Sequence, residues 1–455
     1  MDAVLLARLQ FAMTIGFHFI FPPITIGLAW LLVILEGVGW RTGDEVYKRA
    51  GEFFGRLLGL TFAVGVATGI VMEFQFGTNW AAYSKFVGDI FGAPLAAEAV
   101  FAFFLESGFL GLYLFGRRRL SPGMHWFSIL MVAVGATLSA FWILVANSWQ
   151  QTPAGFRINE QLGRAELTSF AEAVFNPSTW VRFSHTMTAA LLTGAFFMAG
   201  VAAMLLLRGR GGEVGPRALK LSLVAGLAAA VLVIFPFGHE HARQVAHTQP
   251  EKFAAIEGLY VGQEGAPLVL FGLVDPATPE LKARIEVPGL LSWLAFGDPH
   301  APVRGIRDFP PDEVPRGAEL WLSFVSFHNM VILGLFFVGA TAFGLLLWRR
   351  GRLLETRWFL RLLVASIPLP VLACQFGWIA AEVGRQPWVV YKLLRTRDAV
   401  SPTVSAGEVL FSLILFALLY IALGALWIYL LRRKILAGPA PAGGWLSGRA
   451  TGEAG

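Results

Sequence analysis

The chain has 455 residues, of which 56% are hydrophobic and 15% charged, with a net charge of +6 and a mean hydropathy of +0.63. Soluble domains carry about 25% charged residues, so this composition excludes a soluble globular protein and makes lipid the solvent. The basic excess sits in short connections between apolar runs, which is the positive-inside pattern rather than a nucleic-acid footprint. The single cysteine, Cys374, excludes an intrachain disulfide and a Cys-ligated iron–sulfur cluster.

A membrane-crossing helix needs about 20 apolar residues. Nine stretches qualify: 9–36, 53–74, 93–115, 125–147, 184–207, 218–237, 319–348, 359–382 and 407–431. Hydrocarbon offers the backbone no partner but itself, so the fold class is an all-α polytopic membrane bundle. The first span exceeds a signal h-region and its flank, Met1 to Arg8, is not strongly basic, so it reads as a retained helix. Pro22 cannot pair with the carbonyl four residues back, which belongs to His18, so Pro22–Pro23 predicts a kink beside that histidine.

Basic clusters alternate along the connections. They are Arg41, Lys48 and Arg49; Arg117, Arg118 and Arg119; Arg208, Arg210, Arg217 and Lys220; Arg349, Arg350, Arg352 and Arg357; and Arg432, Arg433 and Lys434. All fall on one side, which makes that side cytoplasmic, the N-terminus outside and the C-terminus inside. The last outer connection, with Arg385, Lys392, Arg395 and Arg397, runs against the trend, as expected of a site that needs arginine locally. The chain then divides into spans one to six (1–237), a long outer loop (238–318), spans seven to nine (319–436) and an Ala/Gly-rich tail (437–455) expected to be flexible, all within one membrane domain. A loop as long as 238–318 is usually functional or disordered.

Polar residues within these spans carry the chemistry. An ionisable group near mid-bilayer costs about 2.5–3.5 kcal/mol and marks a functional path by default. His18, Glu98, Glu106, His185, Met330 and Glu382 lie within or at the ends of spans, and all but Glu106 fall in the outer half. A common depth predicts one site near the outer face. His, Met and carboxylate also ligate haem iron. Other residues have blander readings. Cys374 is a small core residue, His125 interfacial and His300 a solvated loop residue. His239, His241 and His247 form a candidate metal cluster that lacks a completing carboxylate or cysteine.

Several stretches together are more specific. They are Met72–Trp80 (MEFQFGTNW), Gly88–Pro94 (GDIFGAP), Ala102–Ser107 (AFFLES), Trp142–Asn147 (WILVAN) with Gln151–Gly155 (QTPAG), Lys252–Glu257 (KFAAIE) and Gly377–Trp388 (GWIAAEVGRQPW). Over nearly the whole chain they resemble subunit I of the cytochrome bd-type quinol oxidases. The outer loop is similar to the shorter version in part of that family, and GHEHARQVAHTQP resembles its cyanide-insensitive branch.

The resemblance implies a terminal respiratory oxidase of the bacterial cytoplasmic (inner) membrane. It would oxidise quinol near the outer loop, reduce O2 to water at haem and draw protons from the cytoplasm, generating a proton-motive force without pumping. The implied cofactors are two haem b and one haem d, the third being haem b in members that lack the chlorin. His185 and Met330 match the axial ligands of the low-spin haem. His18, Glu98 and Glu382 match the ligand set of the two high-spin haems. Arg385 would meet haem propionates, and Lys252 and Glu257 match residues of quinol oxidation. Glu106 with Ser107, and Ser139, would carry protons inward. The resemblance further implies a second membrane subunit, subunit II, and a small third subunit in some members. One departure is His328, where many members carry arginine; it would donate to the low-spin haem or compete with Met330 as a ligand. Two other classes share the polar pattern: a haem b electron-transfer anchor of a dehydrogenase, and a haem-free transporter using Glu98, Glu106 and Glu382.

Overall fold

The computed structural model describes residues 2–274 and 281–440; the rest of the tail expected to be flexible, from 441 on, lies outside the described residues. The elements in chain order are α1 (Ala3–His18), α2 (Phe21–Thr42), α3 (Glu45–Thr78), α4 (Ala81–Ala97), a π-helical segment (Glu98–Phe103), α5 (Phe104–Phe115), α6 (Pro122–Gln151), β1 (Phe156–Asn159), β2 (Arg164–Leu167), α7 (Phe170–Val174), α8 (Thr179–Leu207), α9 (Val214–Ile234), α10 (Phe237–Thr248) and α11 (Pro250–Glu257). There follow β3 (Gln263–Glu264), β4 (Leu268–Val274), β5 (Leu281–Val287), α12 (Leu290–Phe296), β6 (Pro302–Val303), α13 (Ala318–Arg349), α14 (Arg357–Ala365), α15 (Leu369–Val383), β7 (Trp388–Val390), β8 (Leu394–Arg395) and α16 (Ala406–Ala437). Among the described residues, 8 helices or joined helix pairs are long and apolar enough to cross a membrane.

The breaks fall where the backbone is short of donors. Pro22 and Pro23 occupy the first turn of α2, and α1 stops at His18, so the kink beside that residue is present. The third predicted span, 93–115, is not one α-helix. It is the end of α4, which holds Pro94, then the π segment beginning at Glu98, then the short apolar helix α5. A wide turn of this kind is uncommon and gathers at functional sites.

The largest apolar core lies towards the basic end of the bundle, where Leu28, Leu32, Leu35, Phe54, Leu57, Val132, Phe197 and Phe359 interlock. There α2 and α8 touch backbone to backbone. A Cβ on Gly27 would fall 2.1 Å from the Ala190 carbonyl oxygen, so only glycine permits the crossing. α16 keeps an apolar outer stripe, with Phe411 70% and Ile421 69% exposed, as a lipid-facing helix does.

The 238–318 connection is folded, with α10, α11, α12 and the β4–β5 hairpin, rather than an irregular loop. Ion pairs fasten it to its neighbours: Lys392 Nζ to Glu251 at 3.1 Å and Arg395 to Asp312 at 2.7 Å. With Arg385 on Glu382 and Arg397 beside Asp398, all four basic residues that break the charge trend face an acid. Local pairing accounts for them.

One of the blander expectations needs correction, and another gains detail. His125, in the first turn of α6, is enclosed by protein. It is 4% exposed, its Nε2 lies 3.0 Å from the Tyr113 carbonyl oxygen, and it joins a buried group with Glu36, Tyr113 and Arg117. The close packing of α5 on α6 covers the ring. The His239–His241–His247 cluster does not form, and no group of three metal-binding side chains occurs among the described residues. The three rings face Phe235, His185 and Phe296 respectively, because successive turns of α10 meet different neighbours. His300 is exposed, as expected, and Cys374 sits half-buried against Thr193.

Candidate functional site

The folded loop reaches two of the singled-out residues, with His241 against His185 and Lys252 tied through Gln151 to Glu382. His18, at the end of α1, places Nδ1 3.0 Å from Thr68 Oγ1 on α3. The Thr68 hydroxyl spends its proton on the Val64 and Gly65 carbonyls, both at 3.0 Å. It therefore accepts from His18 Nδ1–H, which assigns the lone pair to Nε2. A Cβ on Gly69 would stand 3.2 Å from His18 Cε1, so glycine lets α3 lie flat on the imidazole.

Glu98 opens the π segment, and its Oε1 accepts from Ser139 Oγ on α6 at 2.6 Å. Glu106 is buried and packs on the same face of α6, where a Cβ on Gly135 would approach its backbone to 3.0 Å. The Ser107 hydroxyl donates to the carbonyl of Phe103, the last residue of the π segment, at 2.8 Å.

Glu382, near the end of α15, accepts from Asn147 Nδ2 at 3.1 Å and Gln151 Nε2 at 3.2 Å on Oε1, and from Arg385 on Oε2. A carboxylate has about four lone-pair positions, so one stays available for another partner. Arg385 is 4% exposed; Nε donates to the Trp388 carbonyl at 3.2 Å, while Nη1 is buried with no protein partner. Arg182 bonds Asn147 from the far side.

His185, on α8, has a buried Nδ1 with no protein partner and stands 5.4 Å, ring to ring, from His241. Met330 on α13 faces α15 at Gly377, where a Cβ would lie 3.0 Å from its sulfur. His328 does not share that direction. Its Nδ1 lies 3.0 Å from the Phe324 carbonyl and its Nε2 2.9 Å from the Val269 carbonyl of β4, so each nitrogen faces a backbone acceptor and the ring's N–H is spent on one of them.

The loop contributes two buried titratable groups on α11. Lys252 is 4% exposed and donates from Nζ to Gln151 Oε1 at 2.9 Å and Gln249 Oε1 at 3.1 Å. Burial, helped by the Arg182 and Arg385 charges, holds its ammonium well below the usual lysine range. Glu257 is 3% exposed, and its Oε2 has no partner. Burial pushes its carboxyl up to about 8.

The structure adds residues that the sequence reading left without a role: Thr68, Asn147, Gln151 and Gln249. Asn147 and Gln151 carried a readable signal, since an amide ending an apolar span needs partners as a carboxylate does. Glu73, on the exposed surface of α3, carries the same intramembrane signal as Glu98.

The model of the cytochrome bd terminal oxidase subunit I family matches residues 6–439. The chain belongs to that family. Among relatives of this oxidase subunit, the cytochrome bd ubiquinol oxidase subunit 1 of Bacillus subtilis is 42% identical over 445 residues, covering 96% of this chain and 94% of its own length. The cytochrome bd-II ubiquinol oxidase subunit 1 of Escherichia coli is 36% identical, with 96% and 97% covered. The solved bd oxidase from Geobacillus thermodenitrificans superposes with a TM-score of 0.89 at 33% identity, covering 96% of this chain and 99% of that one.

Membership in the bd oxidase family implies haem cofactors, and the donors present fit them. His18 is held from one side with a lone pair left over. The buried His185 nitrogen lacks a protein partner, and Glu382 retains a lone pair. Such half-satisfied imidazoles and carboxylates are what iron ligation completes.

Proposed function

We propose that the chain is the haem-bearing subunit of a quinol:O2 oxidoreductase in a bacterial cytoplasmic membrane. It works with subunit II and, in some complexes, a small third subunit. The reading is carried by the half-satisfied donors His18, His185 and Glu382, of which His185 meets His241 of the loop and Glu382 is tied to its Lys252 through Gln151. That loop and the N-terminus face outward and the C-terminus inward, in keeping with the basic clusters at the opposite end.

His185 and Met330 would hold the low-spin haem, and His18, Glu98 and Glu382 the two high-spin haems. The set is two haem b and one haem d, or haem b in its place. Bound haem supplies the electron path from quinol and the iron at which O2 is reduced. Arg385, with one free donor on a buried guanidinium, suits a propionate. Lys252 and Glu257 would receive the quinol head. Burial favours the uncharged form of both groups, and for the Glu257 carboxyl, pushed up to about 8, this puts proton exchange near neutral pH. Quinol protons leave on the loop side. Glu106, with Ser139 and Ser107 beside it, would pass protons from the basic side towards Glu98. Electrons and protons then meet from opposite faces, which builds a proton-motive force without a pump.

The test is a reduced-minus-oxidised spectrum of the purified complex together with quinol-driven O2 uptake. Haem b bands with uptake are expected, and a far-red band reports haem d. A colourless complex would refute the ligand set. Haem b without uptake would make the chain an electron-transfer anchor.

A further inference from the structure

Gln151, the last residue of α6, holds three partners at once and is 2% exposed. Its Oε1 accepts from Lys252 Nζ at 2.9 Å, and its Nε2 donates to Glu382 Oε1 at 3.2 Å. Its main-chain carbonyl accepts from Gln249 Nε2 at 2.8 Å. A primary amide presents an acceptor and a donor side by side without a net charge. It can therefore serve the Lys252 amino group on one side and a carboxylate on the other. One turn earlier Asn147 repeats the device, donating to Glu382 Oε1 at 3.1 Å and accepting from Arg182.

Lys252 and Glu382 belong to segments far apart in the chain, the loop helix α11 and the end of α15. A single side chain joins them. Asn147 fixes Glu382 independently of the loop, so the Gln151 bond adds a connection rather than merely filling a lone pair.

We propose that Gln151 is a positioning residue that couples the quinol loop to the Glu382 iron site, fixing Lys252 for the quinol and Glu382 for the metal through one amide. This rests on the reading of Lys252 as a quinol residue and Glu382 as a haem ligand. Movement of Lys252 Nζ when quinol binds is passed to the amide and so to Glu382 Oε1.

Two substitutions separate the halves of the bridge. Gln151→Met removes both bonds. Gln151→Glu keeps an acceptor for Lys252 but turns a carboxylate towards Glu382. The purified oxidase complex is assayed for quinol KM, for turnover with an artificial electron donor, and for its high-spin haem bands in the CO-difference spectrum. Gln151→Met should raise the quinol KM about fivefold, as expected when a hydrogen bond of about 1 kcal/mol is lost, and shift the high-spin bands. Gln151→Glu should shift the bands at least as far with a smaller rise in KM. Unchanged bands in both variants, in complexes that retain haem, would overturn the coupling even if KM rises. Lys252→Ala is measured alongside. A quinol KM unaltered by it would overturn the quinol reading itself, and the functional coupling with it.

Discussion

Replacing Glu257 by Gln gives the sharpest separation between folding and catalysis. The carboxyl is 3% exposed, its Oε2 has no partner, and burial raises its pKa from an ordinary 4.5 to about 8. A group whose folded pKa is raised binds its proton more tightly in the folded state. Its contribution to stability is complete below about pH 4.5 and is lost as pH rises to about 8. At about 1.4 kcal/mol per pH unit, holding the ionised form in the folded state costs about 5 kcal/mol. The uncharged amide escapes that cost. Thermal unfolding of the purified complex should therefore fall from pH 6 to pH 9 in the wild type and fall less in Glu257→Gln, a comparison that cancels other titrations. Steady-state O2 uptake should show the reverse ranking. An amide cannot take a proton, so quinol-driven turnover should drop on the order of 100-fold, the scale of general acid–base contributions, while turnover with an artificial donor is spared. Parallel stability profiles in the two proteins would refute the buried-acid argument. Equal loss with both donors would refute a loop quinol site.

Three further changes test other parts of the arrangement. Met330→Leu removes the thioether facing Gly377 and should convert the low-spin haem to a five-coordinate spectrum; an unchanged low-spin spectrum would remove Met330 from the ligand set. Thr68→Val deletes the acceptor of the His18 Nδ1 proton and should lower occupancy or affinity at the high-spin site by about tenfold, read as haem per complex after dialysis against a haem scavenger, with full retention as the contrary result. Glu106→Gln should slow O2 turnover about tenfold or more while reduction of the haems by quinol keeps its rate; normal turnover would take Glu106 off the proton path.

Span positions were readable because hydrocarbon leaves the backbone one solution, and the Pro22–Pro23 kink followed from a missing donor. The outer-half depth expected of His18, Glu98, His185, Met330 and Glu382 rests on counting along apolar runs. What counting along the chain did not reach was side-to-side pairing. Nothing in the local sequence says that Arg395 answers Asp312, that His125 is roofed by α5, or that the three histidines of α10 look in three directions. The third span failed for a different reason. Hydropathy is blind to pitch, and Pro94 with the turns after it rewinds an apolar run without altering its composition. Thr68 and Gln151 were hidden because a hydroxyl or amide becomes informative only once its partner is known.

That rewound segment also fixes a phase. Glu98 and Glu106 are eight residues apart, which a regular α-helix would set about 80° out of line around its axis. Yet Glu98 meets Ser139 and Glu106 meets Gly135, neighbours one turn apart on a single face of α6. The wide turn absorbs the difference. Loss of one residue between 98 and 103 would advance everything before it by about 100°, swinging Glu98 off Ser139 while Glu106 kept its place. This helix should therefore accept many substitutions on its lipid side and scarcely any change in length.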